Sequence, residues 1–140
     1  MKSRIYLAAP LSDKEDRERN ERLAERLRSL GYKVFLPQGA GIFAEELLRC
    51  NGDKYEAMRR LNAIDREALL RADLAIAYTE REKGLSEGMI WEMGYMRGIN
   101  KPVYLYNPLD LFICQMVHIN TPCFTDFDTM IEYIKRSDYV

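Results

Sequence analysis

Apolar positions along this chain recur in two rhythms, a continuous one and a helical one. Residues 4 to 8 form a short, nearly unbroken apolar run that Pro10 ends, as expected of a strand covered on both faces. Ser12 followed by Glu15 is a capping-box pattern. Leu23, Leu27 and Leu30 then recur at helical spacing until Gly31, predicting a helix over 13–30. KVFLP at 33–37 predicts a second strand, followed by a QGAG loop at 38–41. From Phe43 to Leu70 the rhythm is helical but broken at Asn51-Gly52-Asp53, predicting a short helix, a turn and a longer helix ending near Arg71. DLAIAY at 73–78 predicts a third strand, with Asp73 capping or ordering its start. A loop at 79–86 leads into a helix over 87–98, closed by Gly98 and followed by Lys101-Pro102. VYLY at 103–106 is a fourth strand, 109–119 a helix, 121–127 a short last strand and 128–136 a terminal helix.

Strands alternating with helices predict an α/β fold: one domain over 1–140, three-layered and flavodoxin-like or Rossmann-like. Its central parallel sheet has about five strands, with right-handed crossovers and helices on both faces. Ligands of such sheets sit outside the carboxyl ends of the strands, where the strand order reverses. That rule points to the segments after strands one, two and three.

Composition narrows the partner. The 140 residues are 47% hydrophobic and 31% charged, enough for one ordinary core. Lys and Arg number 21 against 22 Asp and Glu, so no charge excess suggests nucleic acid or an anionic membrane; a small molecule is expected. Three cysteines without CxxC spacing and a single histidine, His118, suggest neither a disulfide framework nor a zinc site, and a reducing cytoplasm fits. The first apolar run is too short for a signal peptide or a membrane span. No P-loop or GxGxxG run occurs.

The most informative stretch is Gly84 to Tyr95. A Ser and a Gly at the start of a helix aim backbone N–H groups and the helix dipole at the crevice. Glu92 falls in the second turn, flanked by Trp91, Met93, Gly94 and Tyr95, which solvate a carboxylate poorly. Its alternative reading is the solvated face of an amphipathic helix. Asp65, near the end of the helix feeding strand three, is the second carboxylate of interest; its alternative is a surface helix position.

IYLAAP near the start, NAIDREALLRAD in the middle and GMIWEMGYMRGINKPV later together resemble the nucleoside 2-deoxyribosyltransferase family, over roughly residues 4–116. The most specific element is the Gly, aromatic, Glu, apolar, Gly run from Gly88 to Pro102, supported by an Asp eight residues before an Ala-Asp strand start. The resemblance implies that Glu92 attacks the anomeric carbon of a nucleoside sugar and forms a glycosyl-enzyme. It further implies that Tyr6 holds Glu92, and that Asp65 contacts the base and protonates the departing nitrogen. A core position is the alternative for Tyr6. Ala8, Pro10, Ser86, Gly88 and Trp91 would line the substrate, and Gln38 matches a base-contacting glutamine. Cys114, Gln115 and Met116 would enter the site from a neighbouring subunit, implying a homo-oligomer. No metal or organic cofactor is implied, because the sugar ring oxygen delocalises the charge.

Two reactions share this machinery. Pro10 and the WEMGY run resemble the transferases, which exchange one base for another. Ser86 stands where many transferases have an aspartate, and resembles the related 2'-deoxynucleoside 5'-phosphate N-hydrolases; a hydroxyl at a helix N-terminus accommodates a phosphate that an aspartate would repel. Those hydrolases carry a Ser and an Arg where this chain has Pro10 and Ser12. Lys14 and Arg17 either supply cationic charge nearby or belong to a solvated helix face. Transfer is the favoured reading, hydrolysis of a 5'-monophosphate the alternative. A non-catalytic flavodoxin-like nucleotide-binding module comes third, since the end of strand one has neither an acidic pair nor a phosphate loop.

Overall fold

The computed structural model describes residues 2–11, 13–37, 49, 53–80 and 84–137. Five strands, β1 (Arg4–Ala8), β2 (Lys33–Phe35), β3 (Leu74–Tyr78), β4 (Val103–Tyr106) and β5 (Cys123–Phe124), form one sheet in the order β2-β1-β3-β4-β5. Every pairing is parallel. The helices are α1 (Lys14–Ser29), α2 (Lys54–Arg71), α3 (Glu87–Gly98), α4 (Gln115–Asn120) and α5 (Phe127–Ser137). The chain steps outward from β1 to β2 and then back across β1 to β3, so the strand order reverses between β1 and β3.

Side chains alternate across each strand and divide the core in two. Ile5, Leu7, Leu74 and Ile76 pack against Leu23 and Leu27 of α1 and Met130 and Ile134 of α5. Tyr6, Ala8, Ala75 and Ala77 face the other way, against Leu69 of α2 and Met89, Met93 and Met96 of α3. Three of those four strand residues are alanines, which leave room for α3 to lie close to the sheet and for one large ring, Tyr6, to reach it. Burying each Leu or Ile of the first layer contributes roughly 1.5–3 kcal/mol, which makes that layer the anchor of the sheet.

Helix and strand ends differ from the expectations in ways the local chemistry explains. The N-cap of α1 is Asp13, whose carboxylate accepts from the Asp16 N–H at 2.8 Å; Ser12 lies outside the described residues. Gly31, at φ +96°, follows the end of that helix, as expected. β2 stops at Phe35, short of Leu36 and Pro37, since proline has no N–H to give a ladder. The helix expected to close at Gly98 keeps Gly98 as its last residue, and the left-handed position is Asn100, φ 61°, one of the few non-glycine types that adopts it. The first half of the helix expected over 109–119 is absent: the Asn107 amide donates to the Leu111 carbonyl and accepts from its N–H, both at 3.0 Å, and closes a turn instead.

Asp53 caps α2 by accepting from the Tyr55 and Glu56 N–H groups at 3.0 and 3.1 Å. At the other end, Lys101 donates to the Leu69 and Leu70 carbonyls, closing α2 from the start of β4. Asp73 orders the entry to β3 by accepting from the Arg4 N–H at 2.7 Å. The glycine-rich loop at 38–41 with Gln38, and the short helix expected from Phe43, lie outside the described residues. No described helix is long and apolar enough to cross a membrane.

Candidate active site

β1 delivers Tyr6 to the α2/α3 face, fully buried. Its ring stacks on Phe35, its register partner in β2, with centroids 5.4 Å apart and planes 24° from parallel. The Tyr6 hydroxyl donates a hydrogen bond to Oε2 of Glu92. Burial and the neighbouring Glu92 charge push the phenol far above its ordinary range, so it stays a donor across physiological pH.

Glu92 occupies the second turn of α3. Ser86 begins that helix, its Oγ accepting from the Met89 N–H at 3.3 Å. The buried methionines 89, 93 and 96 seat α3 on the sheet and bring the half-buried Glu92 to Tyr6. Burial pushes Glu92 up to about 7; the Tyr6 hydrogen bond opposes that rise and the Asp65 charge adds to it. Asp65, half-buried on α2, is pushed up to about 6 by burial alone. Its Oδ1 is buried without a hydrogen-bond partner among the described residues. An orphaned carboxylate oxygen costs roughly 1–3 kcal/mol, so this environment favours the protonated form. In the form in which Glu92 is ionised and Asp65 keeps its proton, the pair can act as a nucleophile and a general acid.

Both carboxyls line one cavity of about 340 Å³. Ala9 and Leu11, just past the carboxyl end of β1, and Pro37, just past β2, form part of its wall, on the side of the sheet where such folds place their ligands. Ser86, Gly88 and Trp91 line it as well. Ala8 and Pro10 do not; their neighbours Ala9 and Leu11 do. The Pro10 carbonyl accepts from the buried Asn20 amide at 2.8 Å, which pins this loop to α1. Lys14 is solvated and pairs with Glu18. Arg17 turns back to donate to the Leu11 carbonyl at 3.1 Å, placing a cation beside the cavity. Cys114, Gln115 and Met116 are exposed and do not line the cavity of their own chain.

Sequence reading missed Asn62, Arg66 and Leu69, which share the cavity wall with Asp65. Spacing could have found them, because 62, 65, 66 and 69 fall on one helix face. Pro37, carried in from the end of β2, gave no such signal. A second hollow of similar size opens between β2 and the end of α2, lined by residues including Arg4, Lys33 and Arg71, and holds none of the Tyr6, Asp65 and Glu92 group. Among the described residues no group of three or more His, Cys, Asp or Glu is placed to hold a metal ion.

A tyrosine-held glutamate and a second carboxyl in one cavity beside a parallel sheet form a candidate site of the kind α/β enzymes use. The model of the nucleoside 2-deoxyribosyltransferase family matches residues 5–122, and the chain belongs to that family, whose chemistry is cleavage of the N-glycosidic bond. Among solved structures, it is similar to the 2-deoxyribosyltransferase of Bacillus psychrosaccharolyticus, with 25% identity, a TM-score of 0.76, and 91% and 90% of the two chains covered. It shares its fold with the 2-desoxiribosyltransferase from Leishmania mexicana, at 16% identity and a TM-score of 0.61, covering 94% of this chain and 96% of that one. The fold is also that of the Clostridium botulinum CMP N-glycosidase BcmB, at 20% identity and a TM-score of 0.54, covering 96% and 98%. No curated protein matches the sequence.

Proposed function

We propose that this chain transfers a 2-deoxyribosyl group between bases by double displacement on Glu92. The Glu92 carboxylate attacks the anomeric carbon as the bond to the base breaks, and Asp65 gives its proton to the departing nitrogen. A second, free base then attacks the same carbon, the bond to Glu92 breaks, and the ring N–H proton of the incoming base returns to Asp65. The observation that carries this reading is the hydrogen bond from the buried Tyr6 to Glu92, whose side chain shares a cavity with Asp65. A carboxylate in that position also stabilises the positive charge that develops on the sugar.

Ser86, Gly88 and Trp91 would line the substrate, with Ala8 and Pro10 shaping the wall through Ala9 and Leu11. Cys114, Gln115 and Met116 would complete the site of a neighbouring copy. That assignment is supported by Phe112 and Ile119, 95% and 79% exposed, which leave the surface around the three apolar and uncovered. The working unit in this reading is a cytoplasmic homo-oligomer of one-domain chains.

Hydrolysis of a nucleoside 5'-monophosphate is the second reading, favoured by the Ser86 hydroxyl at the start of α3 and by Arg17 beside Leu11. Chromatography of products from deoxynucleosides and their monophosphates, with and without a second base, separates the two. A new nucleoside formed only with acceptor base supports transfer; free base and sugar 5-phosphate from monophosphates alone support hydrolysis.

A further inference from the structure

The only tryptophan of the sequence lines the cavity that holds Asp65 and Glu92. Trp91 is nevertheless 53% exposed. Tyr95, one turn further along α3, lies almost parallel to it, with centroids 5.2 Å apart and planes at 13°. Arg66 of α2, also in the cavity wall, holds its guanidinium carbon 5.8 Å from the Tyr95 centroid. An indole left half in water forgoes a large part of the burial that its area offers, so it is a poor core residue here. Its orientation is fixed all the same, by a parallel ring on one side and, through that ring, by a cation. A wide, preorganised aromatic plane open to a cavity suits a flat aromatic ligand.

We propose that Trp91 is the shelf on which the base of the substrate stacks, with Tyr95 and Arg66 holding the indole in place. This rests on the glycosyl-transfer reading and adds how the base is gripped: by area on Trp91, with Asp65 acting at its edge. Stacking tolerates any base because each presents a π face, and it grows with overlap. The shelf therefore favours two-ring purines over pyrimidines.

A single tryptophan makes the test direct. The Glu92→Gln protein, which binds without turning over, is titrated with 2'-deoxyadenosine and 2'-deoxycytidine while tryptophan fluorescence and heat are recorded in parallel. The expected result is a saturable fluorescence change with the same midpoint as the heat. Adding Trp91→Leu weakens deoxyadenosine binding roughly tenfold to a hundredfold and deoxycytidine binding less; Trp91→Phe restores most of the loss. In the active protein the Leu substitution falls on KM more than on kcat. Three outcomes overturn the shelf: heat of binding with unchanged fluorescence, undiminished affinity in the Leu variant, or fluorescence that follows protein dilution rather than nucleoside, which makes Trp91 a subunit contact. Absence of heat from every nucleoside and monophosphate rejects the glycosyl-transfer reading itself, and the shelf with it.

Discussion

The Tyr6 hydroxyl at the sheet and the Glu92 carboxylate in α3 are 86 positions apart in sequence and joined by a hydrogen bond. That bond favours the charged form of Glu92 against the effect of burial. Tyr6→Phe removes the donor and keeps the ring on Phe35. A hydrogen bond to a charged group contributes roughly 1.5–3 kcal/mol, so the limb of the kcat/KM profile that follows Glu92, the higher-titrating of the pair, moves up by about one to two pH units. An unchanged limb would show that Tyr6 does not act on Glu92.

Asp65 and Glu92 couple through charge, with Asp65 raising Glu92. Activity requires Glu92 ionised and Asp65 protonated, the minor form of the singly protonated pair because Glu92 titrates above Asp65; the profile is a bell between about 6 and 7, its limbs belonging to the pair. Asp65→Asn removes the proton donor and the charge together. Rates measured across pH are expected to fall roughly 10²–10⁴-fold, with the bell replaced by a single rise that follows ionisation of Glu92.

The same two groups couple stability to pH. Burial raises Glu92 from 4.5 to about 7 and Asp65 from 3.8 to about 6, so each holds its proton more tightly folded than unfolded. Their contribution is complete below the unfolded values and is lost as pH rises through the folded ones. Glu92→Gln keeps an acceptor for Tyr6 and removes the charge, and is expected to raise stability above pH 7 by up to about 3 kcal/mol. Denaturant melts should show that gain shrinking to nothing near pH 4.

Ser86→Asp keeps the side-chain oxygen that caps α3 and adds a charge beside the cavity. Binding of a 5'-monophosphate is expected to weaken roughly tenfold or more, and of the nucleoside far less. Titration calorimetry with both ligands checks this; equal losses would remove phosphate from the account.

Asp53→Ala separates folding from chemistry. It deletes the cap of α2 and is expected to cost about 1 kcal/mol in a denaturant melt. The pH profile should keep its shape, because the helix still presents Asp65.

Much of this was legible in the sequence because local rules agreed with the fold. Apolar runs marked all four longer strands, and Gly31 marked the end of α1. Glu92 stands out as a carboxylate among groups that solvate it poorly, Asp65 by its place on the helix feeding β3 and by the family resemblance, and the structure brings both into one cavity. Tertiary relations had no local trace. Nothing near Lys101 announced that it closes α2, nor near Phe35 that it stacks on Tyr6. The turn at Asn107 was hidden because its side chain replaces backbone bonds in a stretch whose apolar residues read as helical.

The central claim is that Glu92 carries the sugar. Mass spectrometry of the protein quenched during turnover of 2'-deoxyadenosine without acceptor base, followed by peptide mapping, tests it most directly. The account predicts a deoxyribosyl adduct on the peptide containing Glu92, absent from Glu92→Gln and lost when acceptor base is added. Base release at the wild-type rate by Glu92→Ala, or an adduct on a different side chain, would contradict it.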